Sequence, residues 1–350
     1  MSRLRCTAFF VVLVTASTLI AEGPRALPAG GVDIKLAGDH IDFLAGDRLV
    51  ARYHTGRDAA KPYFWPIQGP SDIPVTRGWP MEPALPGGSS DHPHQKSFWF
   101  GHGDVVPEGI ELKQKVKGVR GVDFWSEGKG HGRIVCTRIG PPKIEGRRAV
   151  VATHNEWSTA DGVKILDEDR EISLENFGDA RLLVLAIDLE ASVVPVVFGD
   201  TKEGALGIRI TDRIRGSQGG RIENAQGKVG EFACWGRRSG WCDCSGTIAG
   251  TTLGLAIFDD PGNSPPACWH CRNYGLMAAN PFGRVRSGFP DVAGKRELVR
   301  LAKGEHLKLR YGLLIHPGDA KSGRVAEWFE KFVINHKGTK STKETQRKDR

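Results

Sequence analysis

The chain lacks any long apolar run. Its most apolar segment, residues 9–20, is a dozen residues long, against the roughly 20 a membrane-spanning helix needs. Helical patterning is also scarce: one stretch, residues 325–334, carries apolar residues at helical spacing. No internal repeat occurs at the periods of roughly 20–50 residues typical of solenoids and propellers. The sequence contains no nucleophile elbow, no phosphate loop, no dinucleotide fingerprint and no zinc-protease helix. Residues 216–230 are glycine-rich around Asn224, but no helix pattern follows them. A phosphate cradle needs that helix N-terminus, so this is an ordinary loop. No nucleic-acid motif is present either. The net charge of +8 is partly an end effect: Arg3 and Arg5 open the chain, and residues 337–350 hold six Lys/Arg against two acidic residues. Nucleic acid is therefore not expected as a partner, and 337–350 reads as a disordered basic tail.

What is present begins with a leader. Arg3 and Arg5 precede the short apolar segment, and Ala16, Ser17 and Ala21 offer small residues for cleavage. Residues 1–21 read as a signal peptide. The mature chain is then exported, periplasmic or extracellular, with no stable membrane insertion after cleavage. Six cysteines follow the leader: Cys136, Cys234, Cys242, Cys244, Cys268 and Cys271. Export favours disulfides; the pairs Cys242/Cys244 and Cys268/Cys271 have spacings that suit zinc; plain buried thiols are the third option.

With 45 glycines and 20 prolines in 350 residues, short strands and many turns are expected, hence an all-β, antiparallel sandwich. Apolar alternation runs through residues 31–53, 164–174, 180–191 and 307–316. Residues 61–81 carry five prolines, which argues for an extended segment outside regular pairing. No linker interrupts residues 31–335, so a single β-sandwich domain is expected there.

The chemistry concentrates in residues 91–104, DHPHQKSFWFGHGD, with three histidines and two carboxylates. Read as a strand, it puts His92 and His94 on one face, and His102 follows in a glycine turn. Such a set can hold a divalent metal through His92, His94 and His102, or move protons near neutral pH. Asp104, Asp123, Glu203, His270 and Arg272 complete the candidate set, all at expected strand ends or turns. Trp65, Trp99 and Trp269 offer faces for stacking on a sugar ring.

The runs KPYFWPI, VTRGWPM, DHPHQKSFWFGHGDV, GVDFW, FGDTKEGALGIR, WGRRSGW-x-D-x-SG and WH-x-R-x-YGL-x-AANPFG span roughly residues 49–329. They resemble the exported bacterial PmoA-like family, automatically labelled "methane oxygenase PmoA". The resemblance implies an all-β fold similar to the galactose-mutarotase supersandwich. Methane oxidation is not carried over, because that enzyme's subunit spans membranes. The expected function is an exported carbohydrate-active enzyme using His/carboxylate acid–base chemistry on a sugar or glycoside, with a metal as an option. The alternatives are a non-catalytic carbohydrate-binding protein and a metal-dependent oxygenase.

Overall fold

The computed structural model describes residues 31–69 and 72–334. The leader expected at 1–21 and the tail expected at 337–350 lie outside them. Among the described residues, no helix is long and apolar enough to cross a membrane.

The alternating segments pair into two large antiparallel sheets. The opening meander shows the rule: Val32, Ile34, Ile41, Phe43 and Tyr53 turn inward, and the chain reverses at Gly46 in the left-handed region, φ 63°. From edge to edge, the first sheet runs Val32–Leu36, His40–Ala45, Arg48–His54, Tyr63–Ile67, Phe98–His102, Gly204–Arg209, Leu276–Asn280, Cys268–Arg272. The second runs Arg221–Asn224, Trp241–Ile248, Thr251–Asp259, His306–Pro317, Arg181–Glu190, Lys164–Asn176, Arg148–Ser158, Arg133–Ile139, with Lys143–Glu145 also paired to Arg148–Ser158. A small third sheet joins Val299–Leu301, Val196–Phe198 and Val105–Pro107.

The two large sheets pack face to face. Phe43, Tyr53, Phe64, Phe98 and Phe100 of the first share one core with Trp157, Ile172, Leu185 and Leu313 of the second. Phe100 meets Trp157 with ring centroids 6.0 Å apart. A buried charge pair sits in this layer. Arg170 Nε donates to Glu168 Oε1 at 2.6 Å, and Trp157 Nε1 donates to Glu168 Oε2 at 2.8 Å. Arg170 reaches across the interface to the Tyr53 hydroxyl at 2.8 Å. The far side of the second sheet is covered by a helix at 325–334, the one expected from sequence, through Val325 and Phe332 against Phe258 and Leu314.

Two local expectations are corrected. Tyr63–Ile67 is a central strand, paired on both sides. Pro66 is tolerated because the register against Arg48–His54 shifts there, so its missing N–H falls in a bulge and breaks no regular ladder. Residues 91–97 are not strand: His92 and Ser97 have φ of 42° and 55°, and pairing starts at Phe98. The six cysteines are free thiols, five of them buried.

Candidate functional site

Period-two alternation gives the first sheet two distinct faces. Phe98, Phe100, Leu206, Ile208, Met277, Ala279, Trp269 and Cys271 point into the sandwich. Their neighbours Trp99, Leu276 and Ala278 point the other way and join Trp125 in a smaller outer cluster. Arg209, His270 and Arg272 share that outer face by register. A cleft of about 350 Å³ opens there, lined by His92, Gln95, Lys202, Glu203, Glu231, His270, Arg272 and Tyr274.

The loop carrying His92 is strapped to the sheet by two buried arginines. Arg77 donates to Asp91 Oδ1 at 2.7 Å and to the His92 carbonyl at 3.1 Å. Arg209 donates to Asp91 Oδ1 at 2.6 Å and to Gln95 Oε1 at 2.6 Å. Burial alone would raise the Asp91 carboxyl, but Arg209 and Arg77 outweigh it and hold it below the usual range. Burial and the neighbouring Arg77 push Arg209 down to about 10. The Arg209 guanidinium lies 4.6 Å from the Tyr274 ring centroid. His92 stacks on Tyr274, centroids 5.2 Å apart and planes within 9°. Its Nδ1 lies 3.3 Å from Asp91 Oδ1. The imidazole is thereby oriented while its side chain stays 43% exposed to the cleft.

The opposite wall is the turn between Val196–Phe198 and Gly204–Arg209. Lys202 and Glu203 project from it, their charged groups 3.2 Å apart. His270 ties this turn to Arg272: its Nδ1–H donates to the Lys202 carbonyl at 2.9 Å, and its Nε2 accepts from Arg272 Nε at 3.3 Å. Burial, then the charges of Arg272 and Lys202, lower His270 to about 3, so the ring is neutral and able to accept. Glu231, on the helical turn Glu231–Cys234, completes the frame by accepting from Arg272 NH1 at 2.9 Å and from the Asn273 N–H at 2.7 Å.

Of the eight residues singled out from sequence, His92, Glu203, His270 and Arg272 line this cleft. His94 stands behind His92, rings 5.7 Å apart, and burial followed by the Lys61 charge lowers it to about 3. The remaining three face elsewhere. His102 lies on the inward face in register with Phe98 and Phe100; it is 1% exposed and packed against Phe198 and Phe282. Its Nε2–H donates to the Gly199 carbonyl at 2.8 Å. Asp104 is buried and accepts from the Gly121 N–H at 2.7 Å. Asp123 accepts from the N–H groups of Trp125 and Ser126, a turn-closing carboxylate. His92, His94 and His102 thus do not converge, and the three-histidine metal site is corrected: the sheet itself separates His102 from the other two. Among the described residues, the group close enough to hold a metal is His154, Glu156 and Asp167 on the second sheet, within 4.8 Å of one another. Lys164 already bridges its carboxylates at 2.7 and 3.4 Å. Trp99 and Trp269 are buried and Trp65 lies outside the cleft lining, so Tyr274 and His92 supply its flat surfaces instead.

Sequence reasoning passed over Gln95, Lys202, Glu231 and Tyr274, although Lys202 adjoins the candidate Glu203. Tyr274 follows Arg272 by two residues and Gln95 sits inside the histidine stretch, so proximity was a usable signal for both. Glu231 had none, because the short helical turn that carries it contacts Cys268–Arg272 only in the fold.

Burial makes His102 a source of acid lability. Its folded pKa is lowered to about 4 from 6.5, chiefly by desolvation. Below pH 6.5 the unfolded chain takes up a proton that the folded ring refuses until about pH 4, so stability falls through that window as pH drops. The loss approaches on the order of 3 kcal/mol at the acid end. Urea titrations at pH 7 and pH 4.5 are expected to show a smaller difference for His102→Gln than for the unaltered chain; equal differences would contradict this.

No curated protein matches the chain. Solved structures with a similar outline include the GH36 α-galactosidase AgaA from Geobacillus stearothermophilus, at 10% identity and TM-score 0.35 over 83% of this chain and 41% of that one. The galactose 1-epimerase from Lactobacillus acidophilus NCFM is similar at 7% identity and TM-score 0.39, over 82% of this chain and 98% of that one. The α-galactosidase from Lactobacillus brevis is similar at 8% identity and TM-score 0.39, over 82% and 40%. The chain thus spans about two fifths of the length of these α-galactosidases. At such scores these likenesses assign no chemistry. Residues 40–330 match the model of a family of unknown function (DUF6807), and the chain belongs to that family.

Proposed function

We propose that the chain is an exported carbohydrate-active enzyme whose cleft performs proton transfer on a sugar or glycoside. The observation that carries this reading is one cleft lined by both an oriented, accessible imidazole, His92, and an accessible carboxylate, Glu203. Such a pair removes a proton at one point of a bound ring and returns one at another, the arrangement that epimerisation, elimination and hydrolysis all require. Gln95, Lys202 and Arg272 offer donors to hydroxyl groups, and the stacked His92–Tyr274 pair offers a flat surface to a ring face. The oxygenase named in the PmoA label has less support, since the three histidines expected to hold its metal are divided between two faces of a sheet.

The test is incubation of the purified mature chain with a panel of glycosides, uronic-acid-containing oligosaccharides and oxidised sugars, followed by NMR. Conversion of at least one panel member is expected. Absence of both conversion and binding across the panel would remove the carbohydrate reading; binding without conversion would leave a recognition module.

A further inference from the structure

We propose that the molecule accepted by the cleft carries an oxyanion substituent, a carboxylate, sulfate or phosphate on the sugar, gripped between Arg272 and Lys202. This deepens the carbohydrate reading and rests on it. Three contacts fix Arg272 before any ligand arrives. Its Nε donates to His270 Nε2 at 3.3 Å and its NH1 to Glu231 Oε1 at 2.9 Å. Its guanidinium carbon lies 5.2 Å from the Trp235 ring centroid. The rotamer freedom of a long side chain is already spent, while 29% of it remains exposed beside the cleft. A guanidinium held in this way is a preorganised receptor for a planar or tetrahedral oxyanion, which takes paired N–H donors at little further entropic cost.

Lys202 supplies the second cation. Its side chain is 44% exposed and its ammonium pairs with the adjacent Glu203 at 3.2 Å, a surface contact weak enough for a ligand to displace. Release of Glu203 from Lys202 also frees the carboxylate proposed for proton transfer. The His270 ring fixes the Lys202 backbone beside the Arg272 guanidinium, through the Lys202 carbonyl and through Arg272 Nε, so the ammonium swings from an anchored base. Within the lining itself Lys202 and Arg272 stand against Glu203 and Glu231, so an anion that takes Lys202 from Glu203 exchanges one ion pair for another, which a neutral sugar cannot do.

The experiment is isothermal titration of the mature chain with matched pairs: galactose against galacturonate and galactose 6-sulfate, glucose against glucuronate and glucose 6-phosphate, and neutral against uronate-containing oligosaccharides from the same panel. The expected result is that one anionic class binds about 10- to 100-fold more tightly than its neutral partner. Raising the salt concentration is expected to narrow the gap. Arg272→Gln is expected to abolish the preference. Because that change leaves Glu231 without its guanidinium, Lys202→Gln, at an exposed position, serves as the second variant and is expected to reduce it several-fold. Equal or tighter binding of the neutral partners overturns the oxyanion inference and leaves the carbohydrate reading standing. A preference that survives both substitutions also overturns it. Failure of every sugar, neutral or charged, to bind overturns both.

Discussion

Substituting His92 by asparagine should lower kcat on the accepted sugar by about 10²- to 10⁴-fold, the usual worth of a positioned proton-transfer group. Glu203→Gln should do the same. Both side chains stand at the cleft wall, 43% and 35% exposed, so neither replacement opens a core cavity, and thermal midpoints should move little. If the two groups act within one turnover, the double variant will be far less impaired than the product of the single losses, because removing either already stops the proton circuit. A steady-state comparison of the four proteins, with His154→Gln as a control on the other sheet, settles the matter. Rates within a few-fold of the unaltered chain for both single variants would end the acid–base assignment.

Glu168→Gln should cost about 3–5 kcal/mol of folding stability, the typical result of breaking a buried ion pair from one side. Arg170 is 1% exposed and Glu168 fully buried, and the carboxylate is bonded to both Arg170 and Trp157. Loss of its charge strands a guanidinium inside the sandwich, where the Tyr53 hydroxyl is a poor counterpart. A paired apolar replacement, Glu168→Leu with Arg170→Met, removes both desolvated charges and should recover much of the loss, since isosteric apolar substitution of such pairs is often neutral or stabilising. Urea unfolding of the unaltered chain and the two variants measures both. A single-variant loss under about 1 kcal/mol would mean that water reaches the pair, contrary to its burial.

How far the site was readable from the sequence follows from where each residue stands relative to strand ends. The class of fold was legible because alternation dominates long segments such as Lys164–Asn176 and Arg181–Glu190. Residues near 92 and near 270 were legible as members of one candidate set of chemistry-bearing side chains, but their partition between faces was not. That partition turns on one boundary: pairing begins at Phe98, so Phe98, Phe100 and His102 share the inward face, and His102 becomes a core residue. A reading that began the strand at Asp91 kept all three histidines available. Tyr63–Ile67 was hidden for a related reason, since proline content describes average pairing and says nothing of a register shift that accommodates a single proline. Glu231 could not be found at all, because its relation to Arg272 is made only by tertiary contact.

The double strap on Asp91 has a consequence for how this protein can change. One carboxylate serves as counter-ion to two interior guanidiniums and as neighbour to the cleft imidazole. Its neutralisation would retune His92 only by stranding Arg77 and Arg209, so selection on reactivity is shackled to selection on foldedness at that position. The exposed Lys202 side chain carries no such double duty, and substrate range is freer to drift at that one position than on the histidine side.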